Sequence, residues 1–296
     1  MASLLHELSM KPDLDQVRNY YDDRIDGKIR DFLTFNPRIE AALESLGEWA
    51  PQSPKRVLEI GCGIGASTWR MASTWTDAEI IGADVSGRSL EVARTCFQRS
   101  NLRYIEGLIL EGTLPGTFDY IVLMDVYEHV ATDDRPALHR ALKSLLSDQG
   151  RIFMSVPTPL HLADLRANHP KEIQPVDEDV TPACFSGLAD FIGVDLLMYR
   201  AVGIWRYGDY AHAVIGRMPE LTTVGARAGG SRGGSALKKL VRQLRSPSEA
   251  PTDPSGHLLG RDLFVPQASH GFRLKSVSQL ERKRIMEAWT AGRKTG

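Results

Sequence analysis

Short continuous apolar runs alternate with stretches of helical spacing through most of this chain. The runs predict strands at Arg56 to Ile60, Glu79 to Val85, Leu102 to Glu106, Phe118 to Met124 and Arg151 to Val156. Between them, Ser67 to Thr74, the Leu90, Ala93 and Phe97 set, and Leu138, Ala141, Leu142 and Leu145 follow a helical period. Asp133-Asp134-Arg135-Pro136 opens the third of these helices, and Ser147-Asp148-Gln149-Gly150 ends it. Thr181-Pro182 opens another, apolar at Phe185, Leu188, Ala189 and Ile192 and stopped by Gly193. Two last strands, Asp195 to Trp205 and Tyr210 to Arg217, stand apart by a Tyr-Gly-Asp turn and should pair antiparallel. The pattern gives an α/β fold, a doubly wound, mostly parallel seven-stranded sheet whose last strand is reversed. Residues 1–50 read as a helical cap, 51–218 as the α/β domain, 219–256 as a Gly/Ser/Pro-rich linker with a short basic helix, and 257–296 as a basic extension.

Composition changes this picture little, and charge changes it more. An apolar fraction of 42% and a charged fraction of 25% over 296 residues are those of a globular chain, which excludes collagen-like and fully disordered classes. Cys62, Cys96 and Cys184 are too few and too scattered for a disulfide framework or a thiolate zinc site, and a reducing, cytoplasmic setting is expected. No signal peptide or membrane span is expected, because no basic start leads into a long apolar run. The net charge of −1 conceals an asymmetry: residues 221–296 carry 14 Lys and Arg against 5 Asp and Glu, and residues 1–220 carry 22 against 32. An acidic body with a basic tail points to an anionic partner, or to a tail folded back onto the body.

Glu59-Ile60-Gly61-Cys62-Gly63-Ile64-Gly65-Ala66 joins the first strand to a helix, where an open α/β sheet binds its ligand. Gly61-x-Gly63-x-x-Ala66 also satisfies the dinucleotide fingerprint, with Asp84 roughly 20 residues on to hold ribose hydroxyls. Glu59 at the mouth of the loop would repel a pyrophosphate and attract the ammonium of an amino-acid-bearing nucleoside such as S-adenosyl-L-methionine. With Ile81-Gly82-Ala83-Asp84-Val85-Ser86 and Phe118-Asp119-Tyr120-Ile121-Val122-Leu123-Met124-Asp125 in this order, residues 18 to 217 resemble the class I S-adenosylmethionine-dependent methyltransferases, whose fold is Rossmann-like. The resemblance implies that Gly61, Gly63 and Gly65, with Cys62 among them, line the methionine end of the donor and that Asp84 takes the ribose hydroxyls. It implies further that Val85 lies against the adenine and that Glu106 and Gly107 meet the adenine amino group.

After the fourth strand, Asp125-Val126-Tyr127-Glu128-His129-Val130 should emerge beside the methyl donor. A hydroxyl acceptor must lose a proton, and an imidazole with an ordinary pKa near ~6.5 serves as base when a carboxylate fixes its tautomer. Asp125, Glu128 and His129, spaced i, i+3, i+4, would equally share one face of a helical turn and could hold a divalent cation. Tyr20-Tyr21-Asp22 and Asn36-Pro37-Arg38-Ile39 are similar to the amino-terminal segment of the ubiquinone-pathway O-methyltransferases. The Asp125 element is similar to their Glu-x-x-Glu-His, with Asp in place of the first Glu. Lesser candidates are His161 and His169 after the fifth strand, Tyr210 and His212 on the last, and a lid of Tyr20, Tyr21 and Phe35.

These readings lead to a methyltransferase acting on a hydroxyl of a small-molecule, sugar or lipid-linked glycan acceptor. Methylation of RNA ribose and a non-catalytic binding protein on the same fold are the rivals. Leu237, Leu240, Val241 and Leu244 in the basic stretch 236–245, with a second basic set at 272–294, suit an anionic membrane, a lipid-linked substrate or the chain's own acidic body. No RNA-binding module accompanies the charge.

Overall fold

The computed structural model describes residues 14–218 and 274–295. Strands β1 (Arg56–Ile60), β2 (Glu79–Asp84), β3 (Leu102–Glu106), β4 (Phe118–Met124), β5 (Leu146–Pro157), β6 (Asp195–Val202) and β7 (Tyr210–Gly216) form one sheet, in the order β3-β2-β1-β4-β5-β7-β6. β7 runs antiparallel to β5 and β6, and the other pairs are parallel.

The central strands β1, β2 and β4 are largely apolar and buried because both faces of the sheet are covered there. Val57, Ile80, Tyr120, Val122 and Phe153 pack on one side with residues of α3 (Pro37–Trp49) and α4 (Ala66–Thr74). Their neighbours Leu58, Ile81, Ile121, Leu123 and Ile152 pack on the other with α6 (Arg135–Leu145) and α8 (Pro182–Ile192). From β1 the chain winds outward to β2 and β3, then returns to lay β4 on the other side of β1. The crevice at the carboxyl ends of β1 and β4 is the switch point where such sheets bind ligands.

Local chemistry sets the helix starts. Ser86 caps α5 (Gly87–Cys96) by accepting the Ser89 N–H at 3.0 Å, and Thr158 caps α7 (Pro159–Asn168) through the His161 N–H. Asn36 caps α3 through the Arg38 N–H, with Pro37 in the first helical position.

The structure departs from the sequence pattern in four places. The amino-terminal cap is three helices, α1 (Leu14–Asp22), α2 (Ile25–Thr34) and α3, the last break falling where Phe35 takes a left-handed φ of 54° and Pro37 disfavours helix at Asn36. β5 begins at Leu146, not Arg151: Phe118 pairs with Leu146 and Tyr120 with Arg151, so residues 147–150 bulge out instead of ending the strand. A Cβ on Gly150 would stand 2.8 Å from the Phe118 carbonyl, which is why glycine closes the bulge. β6 stops at Val202, and Trp205 belongs to a turn gathered by Asp209, whose carboxylate accepts the N–H groups of Ile204, Trp205 and Arg206. α7 is a helix the periodicity did not predict.

The carboxyl-terminal α9 (Gln279–Thr295) folds back on the body. Val277 and Ile285 join Ile25, Ile29 and Phe32 of α2 and Val92 of α5 in one apolar cluster, and Arg282 donates to the Leu33 carbonyl at 3.2 Å. The 219–256 linker and its basic stretch lie outside the described residues. Among the described residues no helix is long and apolar enough to cross a membrane, and the three cysteines are free thiols.

Candidate functional site

The loop after β1 turns on three glycines in left-handed conformations, Gly61 at φ 75°, Gly63 at 53° and Gly65 at 81°. Side chains are strained there, and at Gly61 and Gly65 a Cβ would also collide with Val126 and Tyr104. Asp84, at the end of β2, ties the loop down: one carboxylate oxygen accepts the Gly63 N–H at 2.6 Å and the other the Ser86 N–H at 2.9 Å. Glu106 ends β3 level with Asp84, and Gly107 donates to the Asp84 carbonyl. The Val85 carbonyl accepts from Arg18 of α1. Cys62 is buried under the loop, where desolvation holds its thiol well above the usual range.

Glu59 is 1% exposed, and its two oxygens accept from the hydroxyls of Ser67 and Thr68 on α4. Burial raises its carboxyl to about 7 against the pull of those hydroxyls. Its charge therefore acts on the loop through the field and is only partly present at neutral pH.

Beyond β4, Asp125 adopts a φ of 54°, one of two non-glycine residues among those described with a left-handed backbone. Strain of this kind costs roughly 1–3 kcal/mol and persists where surrounding contacts impose it. The contact here is an ion pair between one Asp125 oxygen and Arg38 of α3, whose guanidinium also meets Tyr210 of β7. A 3-10 turn over Tyr127–His129 then buries Glu128 and sets the imidazole between two carboxylates. His129 Nδ1 lies 2.7 Å from the Val176 carbonyl and 3.0 Å from Asp177, and Nε2 lies 3.6 Å from Glu128. Burial lowers the imidazole pKa, but Glu128 and Asp177 overcome this and hold it up to about 9. With Nδ1–H donated to the Val176–Asp177 corner, Nε2 is the nitrogen left to exchange a proton. The ring of Tyr21 stands edge-on to it, 6.3 Å away.

The outer oxygens Asp125 Oδ1 and Glu128 Oε2 are buried with no hydrogen-bond partner among the described residues. Buried acceptors of this kind suit a ligand that brings donors. The cation reading fits less well. Among the described residues no three His, Cys, Asp or Glu side chains are gathered to hold a metal ion, and the Arg38 guanidinium already neutralises Asp125.

The lesser candidates separate. His212 is fully buried, bonded to Ser45, and pushed down to about 4 by burial and by Arg200, as befits a core histidine. His169 sits on an exposed turn, 3.9 Å from Glu172. His161 packs 5.8 Å from the Tyr210 ring, at the rim. Phe35 lies under Arg282 of α9 and packs against the apolar cluster of α2 and α5. Asp177 was not among the candidate residues, and an acidic Val-Asp-Glu-Asp run was its only trace in the sequence.

A family model described as "Methyltransferase domain" matches residues 57–150. The ubiquinone biosynthesis O-methyltransferase of Albidiferax ferrireducens is 30% identical over 146 residues, 48% of this chain and 54% of that protein. The mitochondrial ubiquinone biosynthesis O-methyltransferase of Schizosaccharomyces pombe is 33% identical over 153 residues, 49% and 54% of the two chains. The chain spans about half the length of the curated relatives it matches. In three dimensions it resembles the magnesium protoporphyrin IX methyltransferase of Synechocystis, solved with bound S-adenosylhomocysteine, at a TM-score of 0.54 and 18% identity, over 70% of this chain and 100% of that one. A TehB-like methyltransferase of Corynebacterium glutamicum gives 0.51 and 16%, over 68% and 100%.

Proposed function

We propose that this chain, which carries a class I S-adenosylmethionine-dependent methyltransferase domain, methylates a hydroxyl group of a small-molecule, sugar or lipid-linked glycan acceptor. The observation that supports this reading is the His129 imidazole, held by Val176 and Asp177 at Nδ1 with Nε2 turned toward Glu128, at the carboxyl edge of β4.

The glycine cradle and the chemistry of its donors fit the methyl donor. Gly61, Gly63 and Gly65 give it backbone without side chains, and Asp84 offers carboxylate oxygens to ribose hydroxyls. Val85 after β2 and Glu106 and Gly107 at the end of β3 share the sheet edge with Asp84, a position that suits the purine, and the field of Glu59 suits the ammonium. When bound, the donor supplies an electrophilic methyl group on a sulfonium. The chain's own residues then hold the acceptor in line, which is where most of the acceleration in such displacements arises. His129 removes the hydroxyl proton at Nε2, Asp177 fixes the tautomer, and Glu128 steadies the imidazolium that results. Arg38 and Tyr210 hold Asp125 beside the acceptor.

Incubating the purified protein and an extract with isotopically labelled donor tests the reading by the labelled product it yields. His129→Ala should abolish label transfer while donor affinity, measured by calorimetry, stays as in the wild type. Undiminished transfer would remove His129 from the mechanism, and absence of donor binding would remove the function.

A further inference from the structure

Four cations of the amino-terminal helices approach the site, and three have acceptors. Arg18 donates to the Val85 carbonyl and to Asp15, Arg24 donates to the Tyr20 carbonyl and covers the Tyr20 ring, and Arg38 is paired with Asp125. Lys28 differs. Its ammonium lies 3.2 Å from where a Cβ on Gly63 would stand, and 4.8 Å over the Tyr21 ring. No hydrogen-bond acceptor or ion-pair partner reaches it among the described residues, although Asp84 and Asp22 act on it through space. Desolvation lowers its pKa, with those carboxylates opposing the shift. An ammonium presents three donors, and at this half-buried position no protein acceptor among the described residues occupies them, which leaves them open to an incoming anion.

The donor brings one such anion. Its ribose is matched to Asp84 and its ammonium to the field of Glu59, while its carboxylate needs a cation at the glycine loop. Arg38 is already committed to Asp125 and Tyr210, which leaves the lysine over Gly63. We infer that Lys28 is the ligand of the methyl donor's carboxylate, so that donor binding fastens α2 onto the glycine loop. This rests on the methyltransferase reading above. It makes Lys28 a donor-binding residue that reaches the site from the amino-terminal cap, outside the α/β domain.

Calorimetric titration of the full chain with S-adenosylmethionine and with its decarboxylated form tests the assignment, since the two ligands differ only in the carboxylate. Wild type should bind the carboxylated donor more tightly. Lys28→Met should lose about tenfold to a hundredfold for that donor, the range expected for a hydrogen bond between charged groups, and nothing for the decarboxylated one. Lys28→Gln, which keeps the chain length and polarity, should show the same pattern, so the test survives if the Met variant fails to fold. Equal loss for both ligands, or unchanged affinity for S-adenosylmethionine in a folded variant, overturns the role of Lys28 and leaves the methyltransferase reading standing. Failure of the wild type to bind either ligand overturns both.

Discussion

Between Asp177 and Glu128, His129 keeps its proton to about pH 9 because two buried carboxylates favour the charged form more than burial opposes it. A base acts only when deprotonated, so turnover should climb with pH and reach half its limit near pH 9. Asp177→Asn removes one of the carboxylates and should shift that rising limb to lower pH while lowering kcat; a pH–rate profile that stays in place would show that Asp177 does not act on His129. The same raised pKa stabilises the fold fully below about pH 6.5, and the contribution fades as pH climbs through about 9. Glu59 follows the same sign. Its carboxyl, raised from 4.5 to about 7, destabilises the fold increasingly as pH passes from 4.5 through 7, by about 3 kcal/mol above that range. Glu59→Gln should therefore melt with the wild type at pH 4 and well above it at pH 8, while binding the donor more weakly. Equal melting at both pH values would show that Glu59 is not held protonated by its burial.

At the scale of elements, the described part of the basic end folds back onto the body, one of the two readings its charge allowed. Leu274, Val277 and Ile285 are buried against the body, and Arg282 and Arg293 reach Leu33 and Asp26 of α2. α9 thus braces α2, the helix that carries Lys28. Ile285→Ala should cost about 2–5 kcal/mol, as buried Ile truncations do, and should weaken donor affinity although it lies in α9, outside the glycine loop. Thermal melting and donor titration check the two effects separately; a melting point and an affinity both unchanged would mean that α9 does not brace the cap. The element pattern was legible where one periodicity ran undisturbed, as in Phe118 to Met124 or Leu138 to Leu145. It misled at Ser147 to Gly150, whose turn-forming residues make a bulge inside β5 because Phe118 and Tyr120 hold the strand on either side of them. α7 escaped because its apolar residues do not gather on one face, Leu162 being the one it buries.

Taken as a whole molecule, the chain joins both described ends to one body. Ile25 and Ile29 from the cap, Trp69 and Phe97 from the α/β domain, and Val277 and Ile285 from the extension share a single cluster. Cap, domain and α9 should therefore unfold together, in one thermal transition seen alike by far-UV dichroism and by tryptophan fluorescence, and two separated transitions would show that the cap or extension folds on its own. The sequence by itself determined the sheet, the glycine loop and the acid on the next strand, because strand periodicity and positive φ are written within a few consecutive residues. Only the tertiary structure decided which side chains meet. His129 finds the Val176 carbonyl 47 positions away, Arg38 finds Asp125 across 87, and Arg282 finds Leu33 across 249. No local pattern encodes such pairs, because they follow from which loop and which helix the packed core brings over the edge of the sheet.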